Sequence, residues 1–216
     1  MIDLHSHTIF SDGELIPSEL ARRALFMGYR AIAFTDHVDS SNLEFVLPNI
    51  IRVARDLNGR SPLSVIPGVE ITHVPPAMIG DLVSEARRLG ARLVLVHGET
   101  IVEPVAEGTN RAAIEAGVDI LTHPGLISLE DLLLAKEKGV TLEITARKGH
   151  SLSNGYIAKE SKRLGIPVTI NTDTHGPGDL VTRAMAEKIL LAAGIAHEDV
   201  DDVFKHGENL AAKALK

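Results

Sequence analysis

Residues 92–98, Arg92-Leu93-Val94-Leu95-Val96-His97-Gly98, form an unbroken aliphatic run closed by a histidine and a glycine. A short run that is apolar at consecutive positions reads as a strand buried on both faces of a parallel sheet. The strand candidate is Arg92–Val96. Six other stretches share its character: Ile2–His5, Ala31–Thr35, Ser64–Ile71, Asp119–Thr122, Val140–Thr145 and Pro167–Thr172. Amphipathic helix patterns lie between them. Leu20, Ala24 and Met27 make one stripe, with Glu19, Arg22 and Arg23 elsewhere, and Val181, Met185, Ile189 and Ala192 make another near the C-terminus. Gly28, Gly90, Gly117, Gly139, Gly165 and Gly194 each follow a helix pattern, where glycine ends helices.

Strand and helix alternating from end to end imply parallel strands joined by right-handed crossovers. The expectation is an α/β fold, a closed barrel of seven βα units in preference to an open doubly wound sheet. No Pro/Gly/Ser-rich linker divides the chain, so residues 1–216 read as one domain, with a short helical tail from about Glu198 to Leu215. Neither GxGxxG after the first strand nor GxxxxGK[ST] occurs, which gives nucleotide-binding readings little support.

Composition narrows the chemistry. The 216 residues are 44% hydrophobic, with a net charge of −7 and no cysteine. Without thiolates, any metal must be held by His, Asp and Glu, donors that suit zinc, manganese or iron. The acidic balance argues against a general nucleic-acid footprint. No apolar run approaches a membrane span and no secretory leader is evident, so a cytoplasmic protein is expected.

Ten histidines are present, and their placement matters more than their number. His5, His7, His37, His97, His123 and His175 fall at or just past strand ends, as do Asp12, Glu70 and Asp173. In an α/β barrel that is the face where catalytic residues collect. Steps of 32, 33, 27 and 26 residues separate His5, His37, Glu70, His97 and His123, close to the length of one βα unit, roughly 30 residues. Residues recurring once per unit converge in space. His5-Ser6-His7 and Asp173-Thr174-His175 are i, i+2 pairs, which on a strand point to one face. A lone strand-end histidine is ordinarily structural, but six with three carboxylates on one face call for a metal. His197 and His206 fall in the polar tail and are assigned no function. His73 and His150 lie just beyond strand ends, as substrate contacts or proton donors. Arg147 and Lys148 follow the sixth strand, and Arg183 and Arg111 open helices. These basic side chains are candidate phosphate contacts, Arg111 the least of them. Segment 149–155 is polar, and Ser153 or Asn154 is expected to cap the helix after it.

Together, Asp3-Leu4-His5-Ser6-His7-Thr8, Asp12-Gly13, Thr35-Asp36-His37, Gly68-Val69-Glu70, His97-Gly98, Thr122-His123-Pro124-Gly125 and Asp173-Thr174-His175 resemble the polymerase-and-histidinol-phosphatase (PHP) family, in order and across nearly the whole chain. The resemblance implies a distorted seven-stranded TIM-like barrel and three divalent ions of zinc, manganese or iron. His5, His7, Glu70 and Asp173 would hold one ion, Glu70, His97 and His123 a second, and Asp12, His37 and His175 the third. Asp12 stands where many members have histidine, and its carboxylate is a harder donor that favours manganese or iron over zinc. Three divalent ions set against three carboxylates and a bridging hydroxide leave about two positive charges in excess, a field suited to a phosphoryl dianion. The implied activity is hydrolysis of a small phosphate monoester by the bridging hydroxide, as in a histidinol-phosphatase-like enzyme, with Glu70, Asp173 and His175 as catalytic residues. The alternatives are a nucleotide phosphodiesterase or exonuclease of the same family, an amidohydrolase-like barrel, and a non-catalytic RNA-binding barrel subunit. The second wants a bridging lysine on a middle strand, where Glu70 stands instead. The third predicts a basic surface and eroded ligands.

Overall fold

The computed structural model describes residues 1–216. Its elements run β1 (Ile2–Asp3), α1 (Pro17–Phe26), β2 (Ala31–Phe34), β3 (His37–Val38), α2 (Leu43–Leu57), β4 (Ser64–Ile71), α3 (Pro76–Leu89), β5 (Leu93–His97), α4 (Thr109–Glu115), β6 (Ile120–Thr122), α5 (Leu129–Lys138), β7 (Thr141–Thr145), α6 (Asn154–Leu164), β8 (Val168–Asn171), α7 (Arg183–Ala192) and α8 (Val200–Ala214). All strand pairs are parallel, in the order β1-β2-β4-β5-β6-β7-β8. The two-residue β3 continues the line of β2, since both pair with β4. The seven expected strands are therefore present, the second broken at Thr35-Asp36.

First and last strands meet to close a TIM-like barrel. Ser6 bridges Thr174, Asp173 N–H donates to the His5 carbonyl at 3.0 Å, and His7 N–H donates to the Thr174 carbonyl at 2.8 Å. Lower on the seam, side chains replace the ladder. Asn171 Oδ1 accepts from Leu4 N–H at 3.0 Å, and Asp3 Oδ1 from Thr172 N–H at 3.1 Å. Strand alternation then divides the buried residues. Ile32, Phe34, Val65, Val94, Val96, Leu121, Leu142, Ile144, Val168 and Ile170 pack outward in the large core beneath the helices. Leu4, Ala31, Ala33, Ile66, Leu93, Leu95 and Ile120 fill the barrel itself in a separate core.

That inner core also takes Ala211 and Ala214, so α8 is a plug rather than a polar tail. It packs against β1 and β8 through a face of Val200, Val203, Phe204, Gly207, Ala211 and Ala214. His206 accordingly is half-buried, its Nε2 2.9 Å from Thr141 Oγ1, while His197 is exposed. The helix-stop glycines sit as expected, all six with positive φ between 70° and 104°. The expected stripe of α7 is corrected. Ala186 and Leu190 are buried, and Met185 and Ala192 are exposed. Val181 precedes the helix, so a period counted from it runs one residue out of phase. No helix is long and apolar enough to cross a membrane.

Candidate metal centre

Above the inner apolar layer the same alternation turns polar side chains inward. On β4, Ile66 is followed by Gly68 and Glu70, and on β5 Leu93 and Leu95 are followed by His97. Gly68 is required, because a Cβ there would lie 2.7 Å from the Leu93 carbonyl oxygen. Glu70 is fully buried at the centre. Its carboxylate lies 3.2 Å from His5 Nε2, 3.7 Å from His7 Nε2, 2.9 Å from His37 Nδ1 and 3.7 Å from His123 Nε2. Asp173 approaches His7 Nε2 at 3.2 Å and His5 Nε2 at 3.6 Å, and Asp12 approaches His175 Nε2 at 3.2 Å and His37 Nε2 at 3.6 Å. The nine strand-end residues thus converge. They form overlapping metal-binding clusters, among them His5-His7-Glu70, His5-His123-Asp173 and His7-Asp12-His37-His175.

The backbone is bent to achieve this. The non-glycine residues with positive φ are His73 (54°), His123 (26°) and Asp173 (51°), all three in the site. A left-handed conformation costs such residues of order 1–3 kcal/mol and persists where the surroundings over-determine it. The rings are also anchored from behind. His5 Nδ1 contacts Glu143 Oε1 at 2.8 Å, His97 Nδ1 the Gly98 carbonyl at 3.2 Å, and His175 Nδ1 the Asp173 carbonyl at 2.9 Å. Each leaves Nε2 directed at the cluster, as outer partners orient metal-ligating imidazoles.

Without a cation this arrangement is poorly satisfied. His5 and His7 face each other Nε2 to Nε2 at 3.0 Å. His7 Nδ1, His123 Nδ1, Glu70 Oε2 and Asp173 Oδ1 are buried and make no well-formed hydrogen bond, the two carboxylate oxygens despite imidazoles at 2.9 and 3.2 Å, a costly state for polar atoms. The protonation pattern shows the same conflict. Burial alone would lower His5, but the Glu70, Glu143 and Asp173 carboxylates hold it well above its ordinary value. Burial and the neighbouring His37 and His5 push His7 well below it, and burial with His97 does the same to His123. Burial raises Asp173 to about 7. Crowded imidazoles and carboxylates that cannot all charge suitably are a donor set suited to bound metal ions, and the residues fit that role.

Beside the cluster a cavity of ≈ 200 Å³ is lined by Asp12, His37, Thr72, His73, His97, Glu103, Arg147, His150, Asp173 and His175, none of them hydrophobic. Arg147 lies with Nε 3.5 Å from Asp173 Oδ2. His73 and His150 are brought there too, and Lys148 is exposed beside Arg147. Arg183 is not brought there, a correction to its expected role. Segment 176–182 descends the outside of the barrel, with the Val181 carbonyl accepting from Tyr29 Oη–H at 2.7 Å. Arg183 therefore lies at the opposite end, paired to Asp201 at 2.9 Å and stacked 4.0 Å over Phe204. Arg111 is likewise outside, 2.9 Å from Asp131. Ser153 makes no cap bond, whereas Asn154 pins the end of β7 through the Thr145 N–H and carbonyl.

Two site residues went unnoticed in the sequence. Glu143 is fully buried on the inward face of β7, where it orients His5 and accepts from Asn171 Nδ2 at 2.9 Å and from His123 N–H at 3.2 Å. A carboxylate inside the strand Thr141–Thr145 was the available signal. Glu103 lies on the β5–α4 loop within reach of three histidines, and nothing local marks it.

The barrel gathers histidines and acids at one end into groups that could hold metal ions. A PHP domain family model matches residues 3–138. The chain is 46% identical over 206 residues to the uncharacterised protein MJ1295 of Methanocaldococcus jannaschii, covering 94% of each. It is 29% identical over 241 residues to a probable phosphatase of Thermoanaerobacter sp., covering 100% of this chain and 96% of that one. Among solved structures, a chain of an archaeal ribonuclease P with mature tRNA superposes with a TM-score of 0.77 at 19% identity, over 99% of this chain and 91% of that one. A histidinol phosphate phosphatase of Lactococcus lactis, complexed with zinc, L-histidinol and phosphate, gives 0.59 at 18% identity over 90% and 94%. This chain belongs to the PHP domain family.

Proposed function

We propose that this protein is a metal-dependent phosphatase that hydrolyses a small phosphate monoester in the cavity beside the cluster. The observation that carries the reading is the set of buried polar atoms without a well-formed hydrogen bond at His7, His123, Glu70 and Asp173, surrounded by imidazoles aimed inward. In this reading His5, His7, Glu70 and Asp173 hold one divalent ion, Glu70, His97 and His123 a second, and Asp12, His37 and His175 a third. Bound there, such ions would polarise the phosphoryl oxygens and bring the pKa of a coordinated water toward roughly 7. The chain's own residues do the rest. Glu70 and Asp173 hold the charge balance, Arg147 clamps phosphoryl oxygens, and His175 faces the same cavity. A cavity of ≈ 200 Å³ without hydrophobic lining suits a phosphoryl group rather than a bulky apolar one. The likeness to a probable phosphatase along the whole chain supports the same class.

A second reading, an RNA-handling barrel, is favoured by the fold likeness to a ribonuclease P chain and by sequence likeness to a ribonuclease P protein component of Methanosarcina barkeri, 31% identical over 142 residues. The net charge of −7 opposes it. The test is a hydrolysis panel of phosphate monoesters, diesters and 5′-phosphorylated oligoribonucleotides, run with zinc, manganese or iron and with chelator. Monoester turnover abolished by chelation is expected. Turnover confined to oligonucleotides, or tight tRNA binding without turnover, would replace the proposal. Arg147→Ala should lower kcat/KM about 10- to 150-fold, the loss of a charge-assisted hydrogen bond of roughly 1.5–3 kcal/mol. Metal content and Tm should be retained.

A further inference from the structure

The loop after β5 places a carboxylate in an imidazole cage. Glu103 Oε2 lies 3.1 Å from His73 Nε2 and 3.2 Å from His97 Nε2, and Oε1 lies 3.3 Å from His150 Nε2. The cage has supports besides its occupant. His150 is buried, stacked on His123 at 4.2 Å and 16°, and fixed by Thr100 Oγ1 at 2.7 Å from its Nδ1. His97 ends a buried strand. His73 holds φ at 54° to stand in position, which a surface imidazole has no reason to do.

The occupant is less firmly held. Glu103 is more than a third exposed, with exposed Ile101 and Val102 beside it. The loop is tied down at its base instead, where Glu99 N–H and Asn110 N–H donate to each other's side-chain oxygens at 3.0 and 2.8 Å. A two-oxygen anion thus sits in an imidazole seat, on a half-exposed stretch of the β5–α4 loop, in the cavity that Arg147 lines.

We propose that this cage is the seat of the substrate's phosphoryl group and that Glu103 is an internal anion which substrate must displace. The inference rests on the phosphatase reading and deepens it. His97 is one of the residues assigned to an ion, so an anion in the seat adjoins that ion while His73 and His150 hold its outer oxygens. Glu103 is a gate, and its cost is competitive: apparent affinity falls by the fraction of time the seat is free.

The experiment is titration of inorganic phosphate into the metal-loaded protein, wild type beside Glu103→Gln, with metal content and Tm measured on both. Glu103→Gln should bind phosphate roughly tenfold more tightly, as for a seat open about a tenth of the time. The KM for a phosphate monoester and the inhibition constant for phosphate should fall together. Adding His73→Asn should reverse the gain. Unchanged or weaker phosphate binding would overturn the gate, and loss of metal would make Glu103 a standing ligand instead. If Glu103→Gln folds poorly, Glu103→Asp serves, since its shorter carboxylate cannot span His73 and His150 and should also tighten binding. Failure of both proteins to bind phosphate overturns the inference. Tighter phosphate binding in a protein that cleaves no ester supports the gate and strikes only the proposed reaction.

Discussion

The barrel interior has two layers made from the same strands, and they are held together by opposite means. The lower layer, Leu4, Ala31, Ala33, Ile66, Leu93, Leu95 and Ile120 with Ala211 and Ala214 of α8, is a buried apolar cluster. The upper layer, further along the strands, carries Glu70, His97, Thr122, Glu143 and Asn171, all buried. Apolar burial stabilises the first directly, at roughly 25 cal/mol per Å². The second buries polar atoms that make no well-formed hydrogen bond, and in the proposed reading bound ions complete it. The lower layer thus serves as a rigid base on which a locally unfavourable site can be maintained.

The largest effect should come from the centre of the upper layer. Glu70→Gln removes a charge shared by four imidazoles. About 10³-fold loss in kcat/KM is expected, equivalent to roughly 4 kcal/mol, with reduced metal per chain by elemental analysis. Near-normal turnover and metal content would remove Glu70 from the centre of the proposed site. Its counterpart below, Ile66→Ala, should do the reverse. A cavity in the apolar layer costs about 2–5 kcal/mol of stability, read by denaturant unfolding, while metal content at low temperature is retained. If Ile66→Ala also stripped the metal, the two layers would not be separable.

Glu143→Gln tests the border between them. It keeps the shape behind His5 but removes the carboxylate that orients its ring, so metal affinity should fall about 10- to 100-fold. The change should appear in metal titration rather than in Tm of the metal-free protein. The smallest effect belongs to the plug. Burial lowers the pKa of His206 below its ordinary 6.5, so as pH falls below that value the unfolded chain takes up the proton first. The folded state is therefore disfavoured toward acid. His206→Gln should flatten that part of the pH–stability profile and leave turnover unchanged. A tenfold loss in turnover would mean that the plug communicates with the site.

Much of this organisation is local and was legible. Seven aliphatic runs, six glycine stops and a recurrence of histidines about once per βα unit depend on neighbours in the chain, and the strands and turns formed where those signals lie. Strand-end histidines on one face of a barrel converge by topology, so the cluster of His5, His37, Glu70, His97, His123 and Asp173 is legible in the sequence. Arg183 shows where that reasoning stops. A helix start is ordinarily at the site end of a barrel, but the connection before α7 travels down the wall first, and no residue near Arg183 encodes that path.

The sequence by itself therefore determined the strand count, the parallel order and the residue types gathered at one end, because periodicity and turn chemistry act over a few residues. Only the tertiary structure decided what those residues face. Closure of β1 onto β8 turned Glu143 inward behind His5, folding of the C-terminal helix under the barrel made a plug of an apparent tail, and the β5–α4 loop carried Glu103 to three histidines 30, 6 and 47 residues away in sequence. Such contacts depend on how distant segments pack around a shared core, and that packing is a property of the closed barrel rather than of any segment in it.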